Sequence, residues 1–349
     1  MKILPADKQR ILEQGHVFVP SPLALDENKK VTESHQRLLT LYYIRSGATA
    51  VIPGAHTGEF ALNNLEIYSR WLTVVKEMTD NYGNDMLLMA AIGGKDALKQ
   101  AEMAAQQGYD IAMVAPTAFT GMDDAEVINI YKEISSMIPA FGFELQRAIP
   151  GAYRFTPELW DKIFEIAYGA KGASFDTYRS LIMLEAAAKS TRKESLTILT
   201  GNDDRIVSDL LGTYTFNEGD KKVAVQYGGG LLGHFATDTH AVSNWVGRIF
   251  RKKQMGEWDF PLSEIDLAHA VNYCNMVLFD ALGNFENSVW GVKYRLTSLG
   301  LLPGPYCHTE NGRKGQAETI DRVYGEYPNL CDEAFLRYHI EEMKKEVGL

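Results

Sequence analysis

The stretch MLLMAAIGGKDALKQAEMAAQQGYDIAMVAPTAFTGMDDAEVINIYKEISS, Met86–Ser136, carries the pattern that decides the fold. Two short apolar runs, Met86–Ala91 and Ile111–Ala115, are each followed by a longer amphipathic segment, Lys95–Gln107 and Asp124–Ser136. An apolar run of four to six residues bounded by Gly and Pro reads as a buried strand, and the longer 3.6-period segment as a helix. Working outward, the same alternation predicts strands over His16–Val19, Thr49–Pro53, Ala140–Glu144, Ala167–Lys171, Leu196–Thr200 and Val223–Tyr227. The intervening helices are expected over Lys30–Arg45, Leu65–Met78, Pro157–Ile166, Phe175–Lys189, Arg205–Leu211 and Thr239–Arg251, with Thr156 as an N-cap before Pro157. Similar βα units of this length favour closure into a barrel over a large open sheet.

After Lys253 the alternation stops, and Leu262–Leu282, Asn287–Ser298, Gln316–Val323 and Asp332–Lys345 read as helices. The expected fold is an α/β (β/α)8 TIM barrel over residues 1–253, with a C-terminal helical extension, residues 254–349, packed on it.

Of the 349 residues 46% are hydrophobic and 23% charged, which supplies a large core. The formal charge of −10 argues against a nucleic-acid partner. The one basic cluster, Arg248–Lys253, falls where a helix ends and suits the negative end of its dipole. Cys274, Cys307 and Cys331 have neither paired nor zinc-ligand spacing. No run is apolar enough for a membrane span, and the first residues lack a signal-peptide pattern. A soluble cytoplasmic protein without a membrane partner is expected.

Barrel chemistry belongs at the C-terminal ends of the strands. Three segments fall there. Pro53–Phe60 (PGAHTGEF) follows the second strand; its glycines permit close backbone approach, Thr57 offers a hydroxyl and amides to a carboxylate, and His56 offers a proton. Such a turn is commonly no more than a turn. Gly169–Asp176 (GAKGASFD) ends the sixth strand with Lys171, whose ammonium must be desolvated if it points inward; that lowers its pKa and frees the amine for Schiff-base chemistry. The alternative is a lysine that reaches out to solvent. Gly228–Ala236 (GGGLLGHFA) follows the last expected strand, with His234 either at the site or a satisfied histidine at the barrel mouth.

In this order and on these strands, the segments resemble the dihydrodipicolinate synthase / N-acetylneuraminate lyase family of class I pyruvate-dependent aldolases. Ala55-His56-Thr57-Gly58-Glu59 is similar to that family's G-T/S-T-G-E turn, and Gly169–Asp176 to its G-I-K-E-A-S-G-D segment. Met89–Asp96 resembles its third-strand G-x-G turn, and Val292-Lys293 with Leu299–Pro305 its C-terminal helical region, so the resemblance spans residues 15–310. It implies a Schiff base on Lys171, a keto-acid carboxylate held by Thr57 and the adjoining amides, the Leu232 carbonyl facing the substrate, and a homodimer or homotetramer. It implies no metal and no organic cofactor, and no pair of histidines stands at ligand spacing with a strand-end carboxylate.

The sequence departs from the family pattern where the proton is moved. The strand-five tyrosine is replaced by Phe143, which has no proton to give. The second tyrosine, after strand four, is absent from the corresponding Pro116-Thr-Ala-Phe119. The segment following Phe143, Glu144–Tyr153, is longer than the pattern, and Arg147 and Arg154 are the alternatives for the arginine with which the family reads a second substrate. His56 is therefore the expected acid–base group, with His234 and Glu144 in reserve. The expected function is a Schiff-base lyase, aldolase or hydro-lyase, acting on pyruvate or a related 2-keto acid. The alternative is a degenerate member that binds a small carboxylate without turnover.

Overall fold

A computed structural model describes residues 1–59, 64–83, 85–146, 149, 151–259 and 262–349. Eight parallel strands close into a barrel: β1 (Val17–Pro20), β2 (Ala50–Ile52), β3 (Leu87–Ile92), β4 (Ile111–Val114), β5 (Ala140–Leu145), β6 (Gly169–Ala173), β7 (Thr197–Thr200) and, closing against β1, β10 (Gly229–Leu231). Seven of the eight expected strands lie in the barrel within two residues of their expected ends.

The eighth does not. Residues 223–227 fall largely in an antiparallel hairpin, β8 (Tyr214–Glu218) and β9 (Lys221–Val225), outside the barrel; the true closing strand is glycine-rich. Periodicity favours Val223–Tyr227 because Val223, Val225 and Tyr227 alternate and are β-formers, whereas Gly229-Gly230 offers no side-chain signal. The glycine is required by packing: a Cβ at Gly229 would lie 2.4 Å from the carbonyl oxygen of His16, the residue before β1.

Strand alternation sorts the residues into two cores. Phe18, Met89, Met113, Phe141, Phe143 and Leu199 fill the barrel interior, while Val19, Val51, Ala112, Val114, Ala170 and Ile198 face the helices. The surrounding helices are α2 (Glu33–Arg45), α3 (Leu65–Tyr82), α4 (Ala97–Gln106), α5 (Asp124–Met137), α6 (Pro157–Phe164), α7 (Thr177–Lys189), α8 (Ile206–Leu211) and α9 (Thr239–Gln254). Thr156 caps α6 as expected, accepting from the Leu159 amide, and Asp123 with Glu126 forms a capping box on α5. A short helix that periodicity missed, α1 (Ala6–Gln14), brings Leu12 to the interior core at the bottom of the barrel.

Arg251, Lys252 and Lys253 of the basic cluster lie in the last turn of α9, while Arg248, earlier in the helix, pairs with Glu264 at 3.3 Å. Lys253, however, is buried and donates to the Leu210 carbonyl at 2.8 Å, so it caps a neighbouring helix rather than facing solvent.

The C-terminal residues form α10 (Leu262–Leu278), α11 (Ser288–Ser298), α12 (Gln316–Glu326) and α13 (Glu333–Val347). They reach the C-terminal rim of the barrel through polar side chains. Asn272 and Asn275 of α10 donate to the carbonyls of Asp204 and Asp203 in the loop after β7, at 2.7 and 2.6 Å. No described helix is long and apolar enough to cross a membrane.

Candidate active site

A cavity opens at the C-terminal ends of the strands, and Lys171 stands in its wall. Register places Lys171 on β6 opposite Phe143 on β5 and Leu199 on β7, both interior residues, so its side chain is aimed into the barrel. It is 7% exposed, and its Nζ lies 4.4 Å from the centroid of the Phe143 ring. Burial pushes the amine well below the ordinary lysine range, and the Asp203 carboxylate partly opposes the fall. Space for the side chain depends on a glycine: a Cβ at Gly201 would lie 2.5 Å from Lys171 Cε.

Asp203 is the residue that sequence reasoning missed. It also lines the cavity. Its carboxyl accepts from the backbone amide of His234 at 3.2 Å. Burial raises it far above the usual carboxylate range toward neutrality, held back by the charge of Lys171 and by the His234 and Gly233 amides. The signal was present in the chain, because Gly201-Asn202-Asp203-Asp204 directly follows β7, on the face where barrel chemistry sits. Its neighbour Asn202 points the other way, accepting from the Phe175 amide and donating to Asp209 and Ser180. That network fixes the loop and leaves Asp203 facing Lys171.

The turn after β2 is a 3₁₀ turn, His56–Gly58, that brings His56 and Thr57 into the same cavity wall. The Thr57 hydroxyl donates to the Pro20 carbonyl at 2.8 Å, so its proton holds the turn rather than a ligand carboxylate. His56 is half-buried in the cavity wall, and desolvation first, then the charge of Lys171, holds its imidazole down to about 4 against the pull of Glu59. It is therefore neutral at pH 7. The turn ends at Glu59, in the left-handed region at φ 58°. Its carboxylate accepts from Lys293 Nζ at 2.5 Å and from the His308 amide at 2.7 Å, which ties α11 to the turn.

The remaining expected residues fall differently. Phe143 lines the cavity beside Lys171. The Leu232 carbonyl accepts the Phe235 amide at 3.1 Å as the chain enters a 3₁₀ turn, and Gly233 rather than Leu232 forms cavity wall. His234 contributes its amide; its ring is buried outside the cavity lining, 6.5 Å from the Trp245 ring, and desolvation holds it down to about 4. Glu144 points outward from β5 and accepts from Arg179 Nε at 2.7 Å in a buried ion pair, as alternation along the strand requires. Phe119 packs in an aromatic cluster with Tyr131, Tyr153 and Phe155. Arg154 is exposed and does not line the cavity, and Arg147 lies outside the described residues.

Among the described residues one cluster has spacing for a metal ion: Asp238, Cys331 and Glu333. It lies away from the cavity, and the Arg295 guanidinium already pairs with both of its carboxylates, at 2.6 and 2.7 Å. A cation there would meet that resident charge.

No family model matches the sequence, and no curated protein does. Solved structures do. The dihydrodipicolinate synthase of Acinetobacter baumannii, in complex with pyruvate, aligns at a TM-score of 0.71 and 15% identity over 90% of this chain and 98% of its own. The N-acetylneuraminate lyase of Mycoplasma synoviae aligns at 0.69 and 15% identity, over 90% and 99%. A prophage protein of the dihydrodipicolinic acid synthase family from E. coli K12, also with pyruvate, aligns at 0.73 and 13% identity, over 91% and 99%. Across nine-tenths of its length, this chain therefore has the barrel fold on which dihydrodipicolinate synthases and N-acetylneuraminate lyases are built.

Proposed function

We propose that the chain is a member of that family and acts as a Schiff-base lyase on pyruvate or a related 2-keto acid, with Lys171 as the amine. The observation that carries this reading is a buried lysine with a depressed pKa at the end of a barrel strand, the only lysine lining the cavity among the described residues. Lys171 Nζ attacks the keto carbon, water leaves, and the protonated imine draws electrons from the neighbouring carbon. The reaction needs no further electron sink. The substrate carboxylate sits against the backbone of the His56–Gly58 turn, which the Thr57–Pro20 hydrogen bond holds in place.

Proton transfer is assigned to Asp203 rather than His56. A group works best as acid and base when its pKa lies near the working pH, and burial brings Asp203 there while taking His56 away. Phe143 supplies only an apolar surface. A cytoplasmic homodimer or homotetramer belongs to the same proposal, supported by the resemblance in sequence and by large exposed side chains such as Tyr178, Leu262 and Leu282.

The loss of the tyrosine at Phe143 favours the second reading, a barrel that binds a carboxylate without turnover. Exchange of the pyruvate methyl protons in deuterium oxide, followed by NMR, separates the two. Exchange that depends on Lys171 supports the lyase; stabilisation by pyruvate without exchange supports the binder.

A further inference from the structure

The walls of the cavity beyond the amine say what else the keto acid carries. His56, Thr57, Lys171 and Asp203 gather around the reacting head. The rest is formed mainly by Leu145, Ile149, Phe175, Phe279, Phe285 and Val289, with Gln146 and Ser288 as the polar exceptions. Among the described residues no arginine lines the cavity. Phe175 and Phe285 meet edge to face, centroids 6.2 Å apart, and both have positive φ, 51° and 65°. Bulky residues rarely adopt that conformation, so two facing each other across one cavity mark a wall shaped against the local backbone preference. Phe279 fits where Gly233 leaves room, since a Cβ at Gly233 would lie 2.7 Å from the Phe279 ring.

A polyhydroxylated tail in such a site would leave buried hydroxyls without partners, which is costly, whereas an apolar tail gains from leaving water. We propose that the substrate is a 2-keto acid whose tail beyond the fourth carbon is apolar, alkyl or aryl, rather than a sugar acid. This deepens the Schiff-base reading and rests on it. In the cleavage direction a 4-hydroxy-2-keto acid condenses with Lys171 and releases water. The bond between its third and fourth carbons breaks, and the electron pair moves to the third carbon and into the iminium. The hydroxyl on the fourth carbon gives its proton to Asp203, which returns it to the third carbon. Water then hydrolyses the imine, giving pyruvate, an apolar aldehyde and the free amine.

The test is borohydride trapping on the full chain, read as mass on the Lys171 peptide against ligand concentration. The probes are pyruvate, 2-oxo-4-phenylbutanoate and a 4,5,6-trihydroxy-2-oxohexanoate. The phenyl acid is expected to reach half-maximal trapping at a concentration at least tenfold below the trihydroxy acid. Val289→Asn, measured the same way, is expected to narrow that ratio at least threefold. If the trihydroxy acid traps at an equal or lower concentration while pyruvate still labels Lys171, the apolar-tail inference is overturned and the Schiff-base reading stands. If no acid labels Lys171, pyruvate included, both are overturned.

Discussion

Lys171 Nζ lies 4.4 Å from the centroid of the Phe143 ring, on paired positions of adjacent barrel strands. The amine thus rests against an apolar face where a tyrosine would have offered a hydroxyl. Its ionisation is set by burial and by one carboxylate, Asp203.

The carboxylate gives the first prediction. Asp203→Asn should slow exchange of the pyruvate methyl protons by about 10²–10⁴-fold, the usual contribution of a positioned acid or base. His56→Asn should change it less than tenfold, because the imidazole is already neutral at pH 7. NMR in deuterium oxide reads both. The reverse pattern would return the proton to His56.

A pH profile follows from the same pair. Only the neutral amine attacks a ketone, and burial brings the Lys171 pKa down to about 8 from 10.5. The initial rate of imine formation should therefore rise about tenfold per pH unit below pH 8 and level off above it, not above pH 10.5. Asp203 favours the ammonium, so Asp203→Asn should move the curve to lower pH. A curve displaced to higher pH would contradict the sign of this coupling.

Gly201→Ala tests the space beside the amine. The added methyl would meet Lys171 Cε at 2.5 Å. The lysine stem can yield, but the Ala173 Cβ, 2.7 Å from the same methyl, moves only with β6, so the variant should unfold at lower denaturant and, where folded by circular dichroism, trap with borohydride at least tenfold more slowly. Trapping at the wild-type rate would show that the amine has room to spare.

The tie between α11 and the turn after β2 is a matter of stability. Lys293 is fully buried, and Glu59 is its acidic partner. Glu59→Met leaves that ammonium without its counter-charge and should cost about 3–5 kcal/mol in denaturant unfolding. The double replacement Glu59→Met, Lys293→Met should recover part of the loss. If the single variant unfolds like the wild type, the pair is not what fastens the C-terminal helices to the turn.

The barrel was legible because seven strands announce themselves through apolar runs between amphipathic helices. The eighth escaped because Gly229 and Gly230 are chosen for close packing and carry no side-chain pattern, while Val223–Tyr227 carries a misleading one and falls largely in β9. Lys171 could be picked out because a lysine is a poor choice inside a barrel. Asp203 was overlooked although it follows β7 directly; which of Asn202, Asp203 and Asp204 faces inward is set by the Asn202 network, whose partners come from separate segments. His56 looked suited to proton transfer because a free imidazole titrates near neutrality, but burial beside a cation removes that advantage. The aromatic walls come from Phe175 and, in a distant segment of the chain, Phe279 and Phe285.

The central claim is covalent chemistry at one amine, and the most direct measurement is the mass of the Lys171 peptide after borohydride reduction with pyruvate. The account predicts a gain of one pyruvate less one water plus two hydrogens, confined to that peptide and absent from a folded Lys171→Ala variant. Labelling that persists in Lys171→Ala, or a Lys171 peptide left unmodified at saturating pyruvate, would contradict it.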